Sequence, residues 1–167
     1  RFGAGDLLDS YYAAFQIPDL IYTVFLIASA SAAVLPVFLE REKQGEEEAE
    51  RFIGNLLAAF SVLAVVAIAI AWFFLPSLLV LAAPGFDDLK RLEAAGLSRL
   101  MLFATLPLGI AGILSSVLQA RHRFFVFALP PIVYNLGIIA GIILFVPLAG
   151  TVGLGYGVLL GALAEVL

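Results

Sequence analysis

Asp9 and Asp19 stand at the two ends of a stretch that includes YYAAFQIP, with Gln16 between them, inside a run otherwise apolar enough to lie in a bilayer. Carboxylates at that depth are costly. They normally face a bundle interior or an aqueous cavity, where they bind a polar ligand or carry ions. A second reading makes Asp9 an interfacial N-cap and Asp19, directly after Pro18, a local cap at a helix break. Asn135, within PPIVYNLGIIAGIIL, poses the same problem for an amide, because an unpaired one is expensive in hydrocarbon. It is expected to bond another helix or to line a cavity. Glu165, in the last apolar run, is a fourth such group, and these four are the cavity candidates. Arg121 and Arg123 flank His122 with no acid beside them, and are basic candidates for a cytoplasmic edge.

Covalent chemistry finds little to work with. The chain has no cysteine and one histidine, and no HExxH or paired carboxylates at helical spacing fall within an apolar run. No metal or cofactor is therefore expected. Ser115 and Ser116 read as serines satisfying a backbone carbonyl or a neighbouring helix rather than as nucleophiles. With a net charge of −4 and no basic face, nucleic acid is not an expected partner.

The elements that must carry these groups are membrane helices. Of 167 residues 63% are hydrophobic, mean hydropathy is +1.09, and the 9 basic and 13 acidic residues gather in short stretches between long apolar runs. The expected fold is all-α, a polytopic transmembrane bundle. Five segments can be drawn against the roughly 20 residues a crossing needs: 9–39, 53–75, 98–119, 124–146 and a truncated 153–167. The first is too long for one straight crossing and contains Pro18 and Pro36, so a bend or an early non-helical section is expected. The second, with SVLAVVAIAIAWFFL, carries no charge and ends in an aromatic cluster suited to an interface. Pro107 lies within the third, and Pro130-Pro131 open the fourth. Both chain ends read as cuts in a longer protein.

Between the first two segments, EREKQGEEEAER reads as a solvated loop whose glutamates can begin a short surface helix ahead of Arg51. Arg41, Lys43, Arg51, Arg121 and Arg123 fall on one side of the bilayer, and Lys90, Arg91, Arg99 and Arg1 on the other, five against four. The compact Arg121–Arg123 cluster tips the orientation: its loop and the glutamate-rich one are expected in the cytoplasm, with the first crossing running inward. Gly137 and Gly141 are four apart, as are Gly153, Gly157 and Gly161, a step that lets helix backbones approach closely. By composition alone this polar-centred bundle is a transporter, a channel or a structural membrane subunit.

Longer strings narrow the choice. FGAGDLLDSYYAAFQIPDLIYTVF, SAAVLPVFLEREKQGEEEAERF, LVLAAPGF and LSSVLQARHRFFVFALPPIVYNLGII occur in the order of, and resemble, the corresponding segments of the MurJ/MviN lipid II flippase family. The resemblance covers essentially the whole chain. It implies part of the first of two helix bundles surrounding a central cavity, from the second helix to the sixth, in a multi-pass protein of the bacterial inner membrane. The implied activity is movement of lipid II, an undecaprenyl-linked peptidoglycan precursor, from the cytoplasmic to the periplasmic leaflet by alternating access, with no covalent step. The implied partners are lipid II or another undecaprenyl-linked lipid, the phospholipid bilayer and the second bundle. By position, Asp9 matches an acid that the family associates with activity.

One departure bears on the substrate. Where family members often carry basic residues after the Pro-Asn-Leu stretch and then a Glu-Gly pair, this chain has Tyr22, Thr23, Ile27 and Ala28. A buried Arg or Lys is the natural partner of a pyrophosphate. Related exporters of a polysaccharide-linked lipid or a drug, and a non-transporting membrane scaffold, are the alternative readings.

Overall fold

The computed structural model describes residues 6–28 and 31–166, with side chains for 9–24 and 34–166. The FGAG turn, Arg1, Leu167 and the side chains of Ile27 and Ala28 lie outside the described residues. The helices are α1 (Asp6–Ala28), α2 (Ser31–Gln44), α3 (Glu46–Ala82), α4 (Asp88–Ala120), α5 (Phe124–Phe127), α6 (Leu129–Leu144), α7 (Val146–Ala149) and α8 (Val152–Val166). Among the described residues there is no strand, and the fold is an all-α bundle. Glu46–Ala82, Asp88–Ala120 and the stretch Phe124–Leu144 are each long and apolar enough to cross a membrane.

Helix α4 organises the bundle, packing against α1, α3 and α8, while α6 lies along α8 and α2 bridges α3 and α4 at one end. The seams are built from small and medium residues: Ala13, Ala14 and Ile17 of α1 meet Leu97, Met101 and Leu102 of α4, with Leu75 and Leu79 of α3 and Val158 and Ala162 of α8 closing the same core. Lipid is as apolar as leucine, so association depends on close packing and interhelical hydrogen bonds more than on the hydrophobic effect. The fully buried Ser98 hydroxyl supplies one such bond, donating to the Ala14 carbonyl across the α1–α4 seam.

Glycine makes the α6–α8 seam. A Cβ on Gly137 would fall on the Cα of Gly161, and one on Gly141 on the Cα of Gly157, so the two four-residue steps mesh in antiparallel fashion. Gly153 is equally confined, its hypothetical Cβ 2.5 Å from the Phe145 carbonyl carbon.

The charged stretch departs from the sequence reading of a solvated loop. Helix α2 continues to Gln44, Gly45 turns the chain at φ 142°, and α3 begins at Glu46. Two effects favour helix here. Glu46, Glu47 and Glu48 complement the positive end of the α3 dipole, and Arg51 reaches back to Glu47 at 3.0 Å and Glu48 at 2.9 Å. At 37 residues, α3 is about 55 Å long, so it outruns a hydrocarbon core of about 30 Å. Pro18, Pro36, Pro76 and Pro107 all lie inside helices.

Helix α4 ends in a Schellman arrangement: the Arg123 N–H donates to the Leu118 carbonyl at 2.9 Å and the His122 N–H to Gln119 at 3.0 Å. His122 takes the left-handed position at φ 57°, where glycine is the usual occupant.

Candidate functional site

Helix α1 buries Ala13, Ala14 and Ile17 and exposes Asp9, Tyr12, Gln16, Asp19 and Thr23. These five polar positions step by three and four and form one stripe on the outside of the bundle, flanked on one side by Leu20 and Val24, which are exposed as well. The exteriors of the neighbouring spans differ. Val62, Leu63, Val66 and Ile70 of α3 are exposed, as are Ile132, Leu136, Ile139 and Ile143 of α6, where Asn135 is the polar exception. Apolar exteriors suit lipid; two carboxylates, an amide and two hydroxyls do not, and such a face belongs against an aqueous cavity or another protein surface. The spacing of Gln16, Tyr12 and Thr23 relative to the two acids was available in the sequence as the signal for this stripe.

Beside the stripe, α1, α4, α6 and α8 line a small open cleft of about 20 Å³, among its lining residues Phe15, Pro18, Asp19, Tyr22, Thr105 and Tyr134. Tyr134 lies within Coulombic range of Asp19, Tyr22 and Glu165, and Tyr22 within range of both acids. The fold therefore brings Asp19 of α1 and Glu165 of α8 into one neighbourhood with two phenols. Asp9 stands ten residues away, about 15 Å along the same helix. Glu165 also borders a second cleft of about 250 Å³, with Ser115 of α4 and Pro130 and Val133 of α6.

Unlike Ser98, two other α4 hydroxyls are satisfied within their own helix, Thr105 donating to the Leu102 carbonyl at 2.7 Å and Ser116 to Gly112 at 3.0 Å. Asn135 does the same: its amide donates at 2.6 Å to the Pro131 carbonyl one turn earlier. The expectation of a bond to another helix is thus not met, because the amide sits on the exposed side of α6, where its own backbone offers the nearest acceptor.

The basic candidates lie elsewhere. Arg121 donates to Glu42 at 2.8 Å and sits over the Phe38 ring, 5.6 Å from its centroid. Arg123 is exposed just beyond the end of α4. Among the described residues no Lys or Arg lines the stripe or either cleft.

Close-packed helices, three stretches of them long and apolar enough to cross a membrane, with a polar stripe along α1, define a multi-pass α-helical membrane protein. Within that class, the family described as lipid II flippase MurJ matches residues 1–167, and the chain belongs to it. It is 27% identical to a probable lipid II flippase MurJ of Buchnera aphidicola over 99% of its length, and 31% identical to one of Rhizobium tropici over 84%. It is 28% identical to the lipid II flippase MurJ of Thermosipho africanus, again over 84%. The chain spans 34%, 27% and 29% of the length of these three relatives.

Proposed function

We propose that the protein containing this chain moves lipid II from the cytoplasmic to the periplasmic leaflet of a bacterial inner membrane, and that this bundle supplies one wall of the translocation cavity. The observation that carries the reading is the α1 stripe from Asp9 to Thr23, a polar surface on the outside of a membrane bundle in a chain of the MurJ family. The work is conformational rather than covalent. The head group crosses against polar side chains while the prenyl tail stays in lipid, and two bundles rock about the site. Asp9, Asp19 and Glu165 are the cavity acids on this side. Asn135 contributes through its exposed position on α6, and Arg121 and Arg123 mark the cytoplasmic edge.

A second reading has its own support. The described part of this wall presents carboxylates and phenols and no cation, a surface better matched to a neutral or cationic amphiphile than to a pyrophosphate. An exporter of such a compound is that reading.

The test is complementation of a flippase-depleted bacterium by the full-length protein, beside Asp9→Ala, reading lipid II accessibility at the outer leaflet. Rescue by wild type and its loss in a well-inserted Asp9→Ala protein support lipid II flipping with Asp9 in the working cavity. A well-expressed wild type that leaves lipid II inaccessible while conferring export of an amphipathic cation moves the second reading ahead.

A further inference from the structure

Helices α3 and α4 leave between them an open groove of about 570 Å³, lined by Val65, Ile68, Ala69, Trp72, Phe73, Phe103 and Leu106. Its walls are almost wholly hydrocarbon, and it opens on the apolar exterior of α3. Trp72 packs on Phe103 with ring centroids 5.3 Å apart, and the Arg99 guanidinium carbon stands 5.5 Å from the centroid of the Trp72 ring. A single cation thus caps one end of an apolar groove.

Among the described residues that cation lacks a counter-charge. Arg41, Arg51, Arg91 and Arg121 each pair with a carboxylate, but among the described residues none pairs with Arg99. Its helix neighbours one turn away are Ala95, Gly96, Leu102 and Phe103, none of them acidic. Its Nε is shielded from solvent and has no hydrogen-bond partner.

Depth specifies the plane. Arg99 and Arg121 are 22 residues apart on α4, about 33 Å along a helix, close to the thickness of the hydrocarbon core. With Arg121 at one boundary, Arg99 falls at the other, where lipid phosphates lie and where Trp anchors membrane helices.

We propose that this groove binds a glycerophospholipid with an anionic head group, from the leaflet at the Asp88 end of α4. One acyl chain fills the groove along Val65, Ile68, Ala69 and Phe103, and the phosphate accepts hydrogen bonds from the Arg99 guanidinium held against Trp72. Arginine matches phosphate geometry and stacks on aromatic faces at the same time. A zwitterionic head group brings its own ammonium to compete with Arg99; a glycerol head group does not, so phosphatidylglycerol is preferred over phosphatidylcholine. The site is independent of what the cavity transports.

The test is native mass spectrometry of the full-length protein with equimolar phosphatidylglycerol and phosphatidylcholine of the same acyl chains. Wild type is expected to retain one more phosphatidylglycerol than Arg99→Gln, whose affinity at this site falls about tenfold, the worth of a charge-assisted contact. Arg99→Lys recovers part of it. Ala69→Phe, at an exposed position, fills the groove and removes the same lipid with the cation intact. Equal retention of the two lipids by wild type overturns the proposal, as does a lipid count unchanged by both Arg99→Gln and Ala69→Phe. Displacement of phosphatidylglycerol by equimolar undecaprenyl phosphate overturns the glycerophospholipid assignment.

Discussion

Arg121 and Glu42 meet at 2.8 Å across 79 residues of sequence, fastening the end of α4 to α2. The contact puts the two charged turns of the chain at the same end of the bundle, the arrangement required if both face one compartment. Each side chain is more than a third exposed, so the pair is worth about 0.2–1 kcal/mol and is screened by salt. A double-mutant cycle with Glu42→Gln and Arg121→Gln, read by thermal unfolding of the full-length protein in detergent, is expected to return a coupling of that size at low ionic strength and little at 1 M salt. Zero coupling at low salt means the pair adds nothing to the fastening of α4 to α2.

His122 carries a backbone cost that glycine does not. At φ 57° an L side chain costs roughly 1–2 kcal/mol, and glycine is the residue that closes a Schellman turn without it. The left-handed conformation is fixed by hydrogen bonds from the His122 and Arg123 amides, so it persists whatever the side chain. His122→Gly is therefore expected to stabilise by about 0.5–1 kcal/mol, less than the full strain because glycine also loosens the unfolded chain. A lower thermal midpoint for that variant would show that the imidazole, 5.7 Å from the Phe124 ring, contributes more than the strain it causes.

The glycines of α6 and α8 predict an opposite sign. Gly141→Ala drives a Cβ into the Gly157 backbone, which cannot move as a flexible side chain can, and the expected loss is about 1–3 kcal/mol. Gly96→Ala on α4 meets open space and gains helix propensity, so it should be neutral or stabilising by up to about 1 kcal/mol. The two variants, compared in thermal unfolding of the full-length protein, separate a packing role from the general abundance of glycine in membrane helices. Equal effects would remove the packing role.

What the sequence disclosed depended on how local the signal was. Apolar runs announced the membrane helices because lipid tolerates little else over that length, and the four-residue glycine steps announced a seam, though not which glycine meets which. The glutamate-rich stretch misled because charge density reads as loop, whereas Arg51 and its glutamates at i−3 and i−4 make it a solvated helix broken only at Gly45. Asp9 and Asp19 were visible as misplaced acids. That they share a stripe with Tyr12, Gln16 and Thr23 required asking which face of α1 the alanines bury. The neighbourhood of Asp19 and Glu165 joins residues 146 positions apart, and no local pattern reports it.

That stripe also supplies the sharpest test of where water reaches. A thiol reacts as its thiolate, which forms readily in water and poorly in hydrocarbon. This chain contributes no cysteine of its own, so substituted positions report without background from it. Cysteines at Tyr12, Gln16, Asp19 and Thr23 are expected to react with a membrane-impermeant thiol reagent in intact inner membranes, while those at Val62, Val66 and Ile70 on α3 stay inert. All seven parent positions are exposed on the isolated bundle, so accessibility of the surface alone does not distinguish the two sets. Only contact with water does. If the four α1 positions prove as unreactive as the α3 positions, the stripe lies against dry protein or lipid, and this bundle cannot be the wetted wall of a translocation cavity.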